Sequence, residues 1–295
     1  MTPAKPKGEG AYCEHDPATL NRRREKLVRD LKDKGYSLGF MKLLIKLGLA
    51  DAYKAYLAGV PADAFKSLVN DSLVVSPTSA PDALEGKLHT VDSLSSKRHK
   101  LEAVYVDTFK RLLDALSAKA KESTLPSEYQ STPYRCEDFQ ADQVDGSKLK
   151  PDLLFFQINN TTSDISTAQL LFEAKRQMEE KTAYGKYLGQ FADYALEVWK
   201  AQPLRTFVPL LLLLGCDLYL VVFTRNGYYK TNIGQVMFRR NRDIPSLVSK
   251  LQAILHTLWF LLTLPASNIG QLDNSTHPFD YVDMTSIAGQ AILEV

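Results

Sequence analysis

Apolar residues follow two different patterns along this chain. In some stretches they recur every three or four residues, which predicts helices over residues 21–35, 38–57, 61–69, 98–122, 183–200 and 244–264. In others they form short runs bounded by Gly, Pro or polar residues, which predicts strands over residues 135–139, 153–158, 168–173, 210–214, 218–223 and 228–238. From residue 98 onward the predicted order is therefore helix, three strands, helix, strand.

Composition divides the chain into three regions. Residues 1–17 are polar and rich in Pro and Gly, which predicts disorder. Residues 18–90 hold the first predicted helices and run into a Ser/Pro-rich stretch, 74–97, that predicts a linker. Residues 91–295 hold the remaining elements. We therefore expect a helical N-terminal appendage followed by one larger domain.

The most apolar run, residues 207–223, predicts a hairpin rather than a membrane span. It is shorter than the ~20 residues that cross a bilayer, and it contains Pro209, Gly215 and Asp217. Gly215 and Cys216 would form the turn between its two strands. The N-terminus has no apolar segment typical of a secretory signal. We therefore expect no membrane association.

Charge and cysteine usage narrow the class of protein. The formal net charge of the 295 residues is +2, too small for a protein that binds nucleic acid over its whole surface. The three cysteines are far apart, which predicts neither a disulfide framework nor a zinc site and fits a reducing compartment. We expect an intracellular protein, cytoplasmic or nuclear, and leave open whether it forms a homo-oligomer.

Positive charge is concentrated locally, in residues 22–34, 97–100 and 239–242. Each cluster can follow a phosphate backbone, and each can equally be a solvated helix or loop face. If a nucleic acid binds, we expect its contacts to include Lys97, Arg98, Arg239, Arg240 and Arg242.

The most specific chemistry lies at the ends of two predicted strands. Asp152 follows Pro151 at the start of one strand, and Glu173 and Lys175 end the next. Two carboxylates can share Mg²⁺ or Mn²⁺, and a lysine beside them can hold an attacking water or stabilise developing negative charge. Metal-dependent hydrolysis of a phosphodiester needs such a trio. In a shorter hairpin Asp164 would replace Asp152, but Asp152 is favoured because it opens an apolar strand.

These motifs resemble the PD-(D/E)XK nuclease superfamily, whose core has the element order αβββαβ. The resemblance implies a restriction-endonuclease-like α/β core, with a mixed central sheet flanked by helices. It implies metal binding by Asp152, Glu173 and the carbonyl of Ala174, and a role for Lys175 in activating water. It also implies that Glu102, on the preceding helix, is a supporting acid, although acids are common in first helical turns for dipole reasons alone.

A second pattern, Gln190-x-x-x-Tyr194, resembles the QxxxY motif of RecB-like members of that superfamily. Residues four apart share a helix face, so both side chains can point at the site. The resemblance implies that Gln190 hydrogen-bonds a phosphate or a water on the metal. It implies that Tyr194 orients Lys175 or stacks on a nucleotide.

The segments 205–209 and 218–227 are similar to a narrower group. They resemble the region ahead of the kinase-like domain in fungal-type protein kinase proteins, and the nuclease-like domains of crinkler effectors and spore-killer proteins. The resemblance covers residues 98–264. The sequence has no glycine-rich phosphate loop and no HRD or DFG motif, so it resembles the nuclease-like module alone.

The expected function is therefore that of a Mg²⁺- or Mn²⁺-dependent nuclease acting on DNA, with RNA as a second candidate substrate. The narrower group implies a toxin or effector role. The alternative is a catalytically inactive nuclease-fold module for nucleic-acid binding or protein assembly, since a fold does not fix a function. In that case the apolar helix 244–264 and the N-terminal helices would be interaction surfaces.

We expect most other prominent polar and aromatic residues to have structural roles. Arg205 and Arg225 flank the hairpin, where they would face phosphates or pair with Asp217 or Glu197. The remaining prominent side chains are expected in the core or at its rim; these are Trp199, Trp259, His256, Tyr184 and Tyr187.

Overall fold

A computed structural model describes residues 17–70, 98–123, 125–139, 150–175, 180–215, 217–236 and 244–270. The helices, in chain order, are α1 (Pro17–Leu31), α2 (Phe40–Lys46), α3 (Ala50–Gly59), α4 (Lys66–Asn70), α5 (Arg98–Glu122), α6 (Glu180–Ala201) and α7 (Ile244–Thr263). The strands are β1 (Gly35–Ser37), β2 (Tyr134–Asp138), β3 (Leu153–Gln157), β4 (Ala168–Lys175), β5 (Phe207–Leu214), β6 (Asp217–Thr224) and β7 (Gly227–Gln235).

All of these strands form one sheet, in the order β1-β7-β6-β5-β4-β3-β2. Strands β2, β3 and β4 are successively antiparallel, and so are β5, β6 and β7. Strands β4 and β5 are parallel, and the helix α6 connects them. The expected α/β architecture, a mixed sheet flanked by helices, is confirmed. So is the order helix, three strands, helix, strand from α5 to β5.

The sheet separates two hydrophobic cores, because successive strand side chains point to opposite faces. Leu211 and Leu213 belong to the core beneath α2, α3, α4, α5 and α7. Leu210 and Leu212 belong to the core beneath α1 and α6. Because both faces are covered, the central strands are apolar almost throughout instead of alternating with polar residues.

The predicted helix 38–57 is wrong, because the chain forms two helices there, α2 and α3. Gly48 follows the last residues of α2 with φ of +72°, in the left-handed region where glycine ends helices. The predicted helix 61–69 is shorter than expected, since a turn from Pro61 precedes α4.

The N-terminal region contributes to the same sheet as the rest of the chain. Strand β1 pairs in parallel with β7, and sequence patterning missed it because its three residues are all exposed. The boundary between 18–90 and 91–295 stays a prediction, but residues 18–70 pack into both cores. Residues 1–16 and the predicted linker 74–97 lie outside the described residues.

The hairpin and the last helix have clear structural roles. The turn at Gly215 joins β5 to β6 as predicted, with φ of +61° at Gly215. Strand β5 begins at Phe207, earlier than the predicted start at residue 210. Pro209 lies in this extra part of the strand, and the pairing with β4 begins at Leu210.

Helix α7 buries Leu255, Leu258 and Trp259 in this chain's own core. Its apolar face is therefore covered within the molecule, which corrects its expected use as an interaction surface.

Candidate active site

Asp152 and Glu173 lie side by side because of the antiparallel register of β3 and β4. Leu153 faces Phe172 in that register, so Asp152 lies opposite Glu173. The amide of Asp152 donates to Oε2 of Glu173 at 3.3 Å, and the amide of Ala174 donates to Oδ2 of Asp152 at 2.7 Å. Each strand end thus binds the carboxylate of the other through a main-chain amide.

Lys175 lies two residues beyond Glu173 and therefore on the same face of β4. Its Nζ is 2.6 Å from Oε1 of Glu173, and the two side chains are only 7% and 2% exposed. Burying two facing carboxylates is unfavourable unless cations and hydrogen bonds compensate for their charge. Lys175 supplies that compensation, so the structure brings together the trio that the sequence predicted.

Helix α6 adds Gln190 and Tyr194 to this cluster, as their four-residue spacing predicted. Gln190 Nε2 donates to Oε1 of Glu173 at 2.8 Å and to the hydroxyl of Tyr194 at 2.6 Å. The Tyr194 hydroxyl donates in turn to the carbonyl of Lys150 at 3.0 Å. A chain of hydrogen bonds therefore runs from the start of β3, through α6, to the Glu173 carboxylate.

Tyr194 is too deeply buried for one of its expected roles. Its residue is 2% exposed, so a nucleotide cannot stack on its ring. Burial, and to a smaller extent the Glu173 charge, raises the pKa of Tyr194 well above its ordinary value. The hydroxyl therefore stays protonated and acts as a fixed donor to the Lys150 carbonyl. This main-chain partner carries no signal in the sequence.

The half-buried ring of Tyr187, expected only as a packing or rim residue, also contacts the site. Lys175 Nζ lies 5.6 Å from its centroid, within cation–π range. Lys175 is thus held between a carboxylate and an aromatic face. The side chain of Tyr184 lies outside the described residues.

Asp164, the alternative acid proposed from the sequence, does not join this trio. Asp164 caps the short 3₁₀ helix Ile165–Thr167, where its Oδ1 accepts the amide of Ser166 at 2.7 Å. Asp152, and not Asp164, is therefore the acid opposite Glu173. Glu102 belongs to α5, but its side chain lies outside the described residues.

The basic clusters are only partly described. Lys97, Arg239, Arg240 and Arg242 lie outside the described residues, and so does the side chain of Arg98, which begins α5. Their contacts with nucleic acid remain predictions.

Part of the basic helix α1 contacts helix α6. Arg23 and Arg24 of α1 approach the buried Asp193 of α6, at 2.8 and 3.5 Å. Sequence reasoning missed this pairing of residues about 170 positions apart. The exposed cations of α1, such as Arg22 and Arg29, match the expectation of a solvated face.

Arg205 is a buried structural residue rather than a phosphate ligand or an ion-pair partner. Its guanidinium donates to neutral oxygens: the carbonyls of Ala168, Gln169, Phe207 and Ile269 and the side-chain oxygen of Gln202. Burial lowers the pKa of Arg205 to about 9.

Arg225 is also placed differently from the expectation. It donates to the carbonyl of Pro203 and lies 5.1 Å over the ring of Trp199. Trp199 and Trp259 are core residues, as predicted.

His256 is a core residue with two polar partners. Nε2 lies 3.1 Å from the carbonyl of Ala62, which can only accept, so this nitrogen carries the proton. Nδ1 lies 3.3 Å from the hydroxyl of Tyr56 and accepts from it. The imidazole therefore connects α7 to the N-terminal helices, and burial lowers its pKa.

Part of the chain is similar to a known family of proteins. The sequence family described as fungal protein kinase matches residues 150–260, less than half of the chain. The match runs from the start of β3 into α7 and so includes Asp152, Glu173, Lys175, Gln190 and Tyr194. No curated protein and no solved structure matches the chain significantly. The expected likeness to fungal-type protein kinase proteins is confirmed over this segment.

Within the described part of the chain, no group of three or more His, Cys, Asp or Glu side chains is placed to hold a metal ion. Of the helices described, none combines the length and the apolar character that crossing a membrane requires.

Proposed function

We propose that this chain is a Mg²⁺- or Mn²⁺-dependent nuclease that hydrolyses phosphodiester bonds, with DNA as its first expected substrate. One observation carries the proposal. Asp152 and Glu173, 8% and 1% exposed, face each other across β3 and β4, with Lys175 on the same face. Burying two facing carboxylates costs stability even when a cation compensates for part of their charge, and such clusters are typical of catalytic sites.

The donor set suits a hard divalent cation. Mg²⁺ is usually bound by one or two carboxylates and completes its shell with waters and substrate phosphates, so a third protein carboxylate is not required. Each carboxylate oxygen can also accept more than one partner. Asp152, Glu173 and the Ala174 carbonyl would hold the ion. When bound, it would supply charge neutralisation at the phosphate and a more acidic water.

The remaining side chains would position and polarise. Lys175 would place a positive charge beside a non-bridging phosphate oxygen, because Glu173 and the Tyr187 ring fix its amine at the strand end. Gln190 would keep Glu173 in one rotamer, and Tyr194 would keep Gln190 in place. Orientation of this kind accounts for a large part of catalytic power.

The arrangement of elements supports the same proposal. The order from α5 to β5 is αβββαβ, the order of the PD-(D/E)XK core, and Asp152, Glu173 and Lys175 lie at neighbouring ends of β3 and β4. The site is at the carboxyl end of β4, beside the parallel strand β5, and sheet edges of this kind commonly hold ligands. The assignment to that superfamily remains part of the proposal.

A cleavage assay with matched carboxamide variants tests the proposal. Plasmid DNA, linear DNA, single-stranded DNA and RNA would be incubated with Mg²⁺, Mn²⁺ or EDTA. We expect metal-dependent cutting by the wild type and a loss of about 10³-fold in Asp152→Asn. Asp164→Asn is the control, because it makes the same change of carboxylate to carboxamide in the β3–β4 connection, where Asp164 caps a short helix instead of facing Glu173. Equal activity of Asp152→Asn and the wild type would contradict the proposal, as would cutting that persists in EDTA.

A second candidate function is the inactive nuclease-fold module that binds nucleic acid or assembles with other proteins. It is favoured by the two-carboxylate donor set, since no third acid joins Asp152 and Glu173 among the described side chains. Calorimetric titration with Mn²⁺ separates the candidates. Binding that disappears in Asp152→Asn supports the nuclease, whereas a folded protein without Mn²⁺ binding supports the module.

The toxin or effector role depends on the same lysine. If the nuclease activity causes toxicity, expression of the wild type will slow host growth and expression of Lys175→Ala will not. Equal toxicity of the two proteins would assign the effect to another part of the chain.

A further inference from the structure

Helix α6 presents two neighbouring rows of residues to different parts of the molecule. Gln190 and Tyr194 form the row that contacts the candidate site. Gly189, Asp193 and Glu197 form the adjacent row, and all three contact α1. Because both rows belong to one rigid helix, the contact with α1 and the contact with Glu173 are mechanically connected.

The contact with α1 is ionic and centred on Asp193. The Asp193 side chain is 4% exposed, and Arg23 Nη2 lies 2.8 Å from its Oδ1. Arg24 Nε lies 3.5 Å from Oδ2. Neither Asp193 Oδ1 nor Arg24 Nε makes an aligned hydrogen bond, so the attraction between opposite charges is the main stabilising contribution to this contact. Burial raises the pKa of Asp193 and the two arginines oppose that effect.

Close backbone packing fixes where α1 lies on α6. A Cβ added to Gly189 would lie 2.5 Å from the carbonyl oxygen of Arg24, so only glycine allows the two helices to approach this closely. Gly189 directly precedes Gln190, and Asp193 directly precedes Tyr194. The fixed points of the α1 contact therefore alternate with the residues that contact the site.

We propose that α1 is a positioning element of the candidate site, in which Arg23 and Arg24 bind Asp193 and thereby fix the orientation of Gln190 and Tyr194 toward Glu173. The hydrogen bonds of Gln190 are 2.6 and 2.8 Å long and would lengthen with a small rotation of α6. The effect of α1 on cleavage rests on the proposed nuclease function. The effect of α1 on the Gln190 side chain does not depend on that function.

Two double variants of the full chain separate positioning from substrate attraction. Arg23→Gln with Arg24→Gln removes the contact with Asp193. Arg22→Gln with Arg29→Gln removes the same amount of charge from exposed positions of the same helix. If α1 only attracted a nucleic-acid backbone, both pairs would raise KM alike. If α1 positions the site, only the first pair will lower kcat.

The first readout is the side-chain amide of Gln190, measured by nitrogen-15 NMR and assigned with Gln190→Glu. We expect its protons to exchange with solvent about tenfold faster in the Arg23/Arg24 pair than in the control pair, because its hydrogen bonds are weakened. Unchanged exchange in a folded Arg23/Arg24 variant would overturn the proposal, whether or not the protein cleaves nucleic acid.

The second readout is steady-state cleavage with Mn²⁺. We expect kcat of the Arg23/Arg24 pair to fall about tenfold, the effect typical of residues that orient ligands, with KM equal to that of the control. A change confined to KM would overturn the proposal and make α1 a substrate-binding helix. If the double variant does not fold, Arg24→Gln alone, with Arg29→Gln as control, gives the same two readouts. A wild type that cleaves nothing would refute the proposed function while the Gln190 exchange still decides the positioning role.

Discussion

Strand β4 has a buried cation at each end, and the two cations are held in different ways. Near its start, Arg205 donates only to neutral oxygens, most of them main-chain carbonyls. At its end, Lys175 contacts the Glu173 carboxylate and an aromatic ring. The first arrangement satisfies polar groups that the fold must bury. The second compensates for the charge of two facing carboxylates, whose burial is otherwise unfavourable. From this difference we expect Arg205 to serve stability, and we propose that Lys175 serves chemistry.

The largest predicted effect on stability follows from this assignment. Arg205→Met should lower the free energy of unfolding by about 3–5 kcal/mol, because it leaves several buried carbonyls without donors. Denaturant unfolding measures this change. Arg225→Met is the control, since Arg225 is half-exposed and makes one carbonyl contact and one ring contact; we expect it to cost about 1 kcal/mol or less. Equal losses in both variants would remove the distinction drawn for Arg205.

A smaller change is expected for Tyr194→Phe. It removes the hydroxyl that accepts from Gln190 and donates to the Lys150 carbonyl, so stability should fall by about 1–3 kcal/mol. Cleavage should fall about tenfold, because Gln190 loses one of its two anchors. Tyr36→Phe at an exposed position should change neither quantity. Full activity in Tyr194→Phe would show that this hydroxyl does not support the site.

The smallest predicted effect is on the pH dependence of stability. Burial lowers the pKa of folded His256 from 6.5, so the unfolded chain binds a proton first as the pH falls. His256 contributes fully to stability above its unfolded pKa of 6.5, and this contribution is lost as the pH falls from there toward the lower folded pKa. The free energy of unfolding, compared between about pH 7.5 and pH 5.5, should therefore fall more in the wild type than in His256→Gln. Parallel curves would contradict this role.

The strands and the trio of Asp152, Glu173 and Lys175 could be predicted because apolar runs with polar ends leave a local signal. Asp152, Glu173 and Lys175 follow from where β3 and β4 begin and end. Gly48, which divides α2 from α3, gave only a weak signal within an apolar helical pattern. The three exposed residues of β1 gave none.

The supporting contacts could not be predicted, because they join residues far apart in the chain or use main-chain atoms. Arg23 meets Asp193 only once α1 packs on α6. The Tyr194 hydroxyl binds a carbonyl, which every residue possesses. The spacing of Gly189, Asp193 and Glu197 does reveal a helix face, but not its partner.

The most direct test of the central claim measures stability and cleavage in one isosteric variant, Glu173→Gln with Lys175→Met. We expect cleavage to fall by about 10³-fold or more. We expect stability to stay unchanged or to rise, because replacing a buried ion pair by neutral groups of similar shape is often neutral or stabilising. Wild-type cleavage, or a loss of stability as large as that of Arg205→Met, would contradict the catalytic role and make the cluster a structural feature.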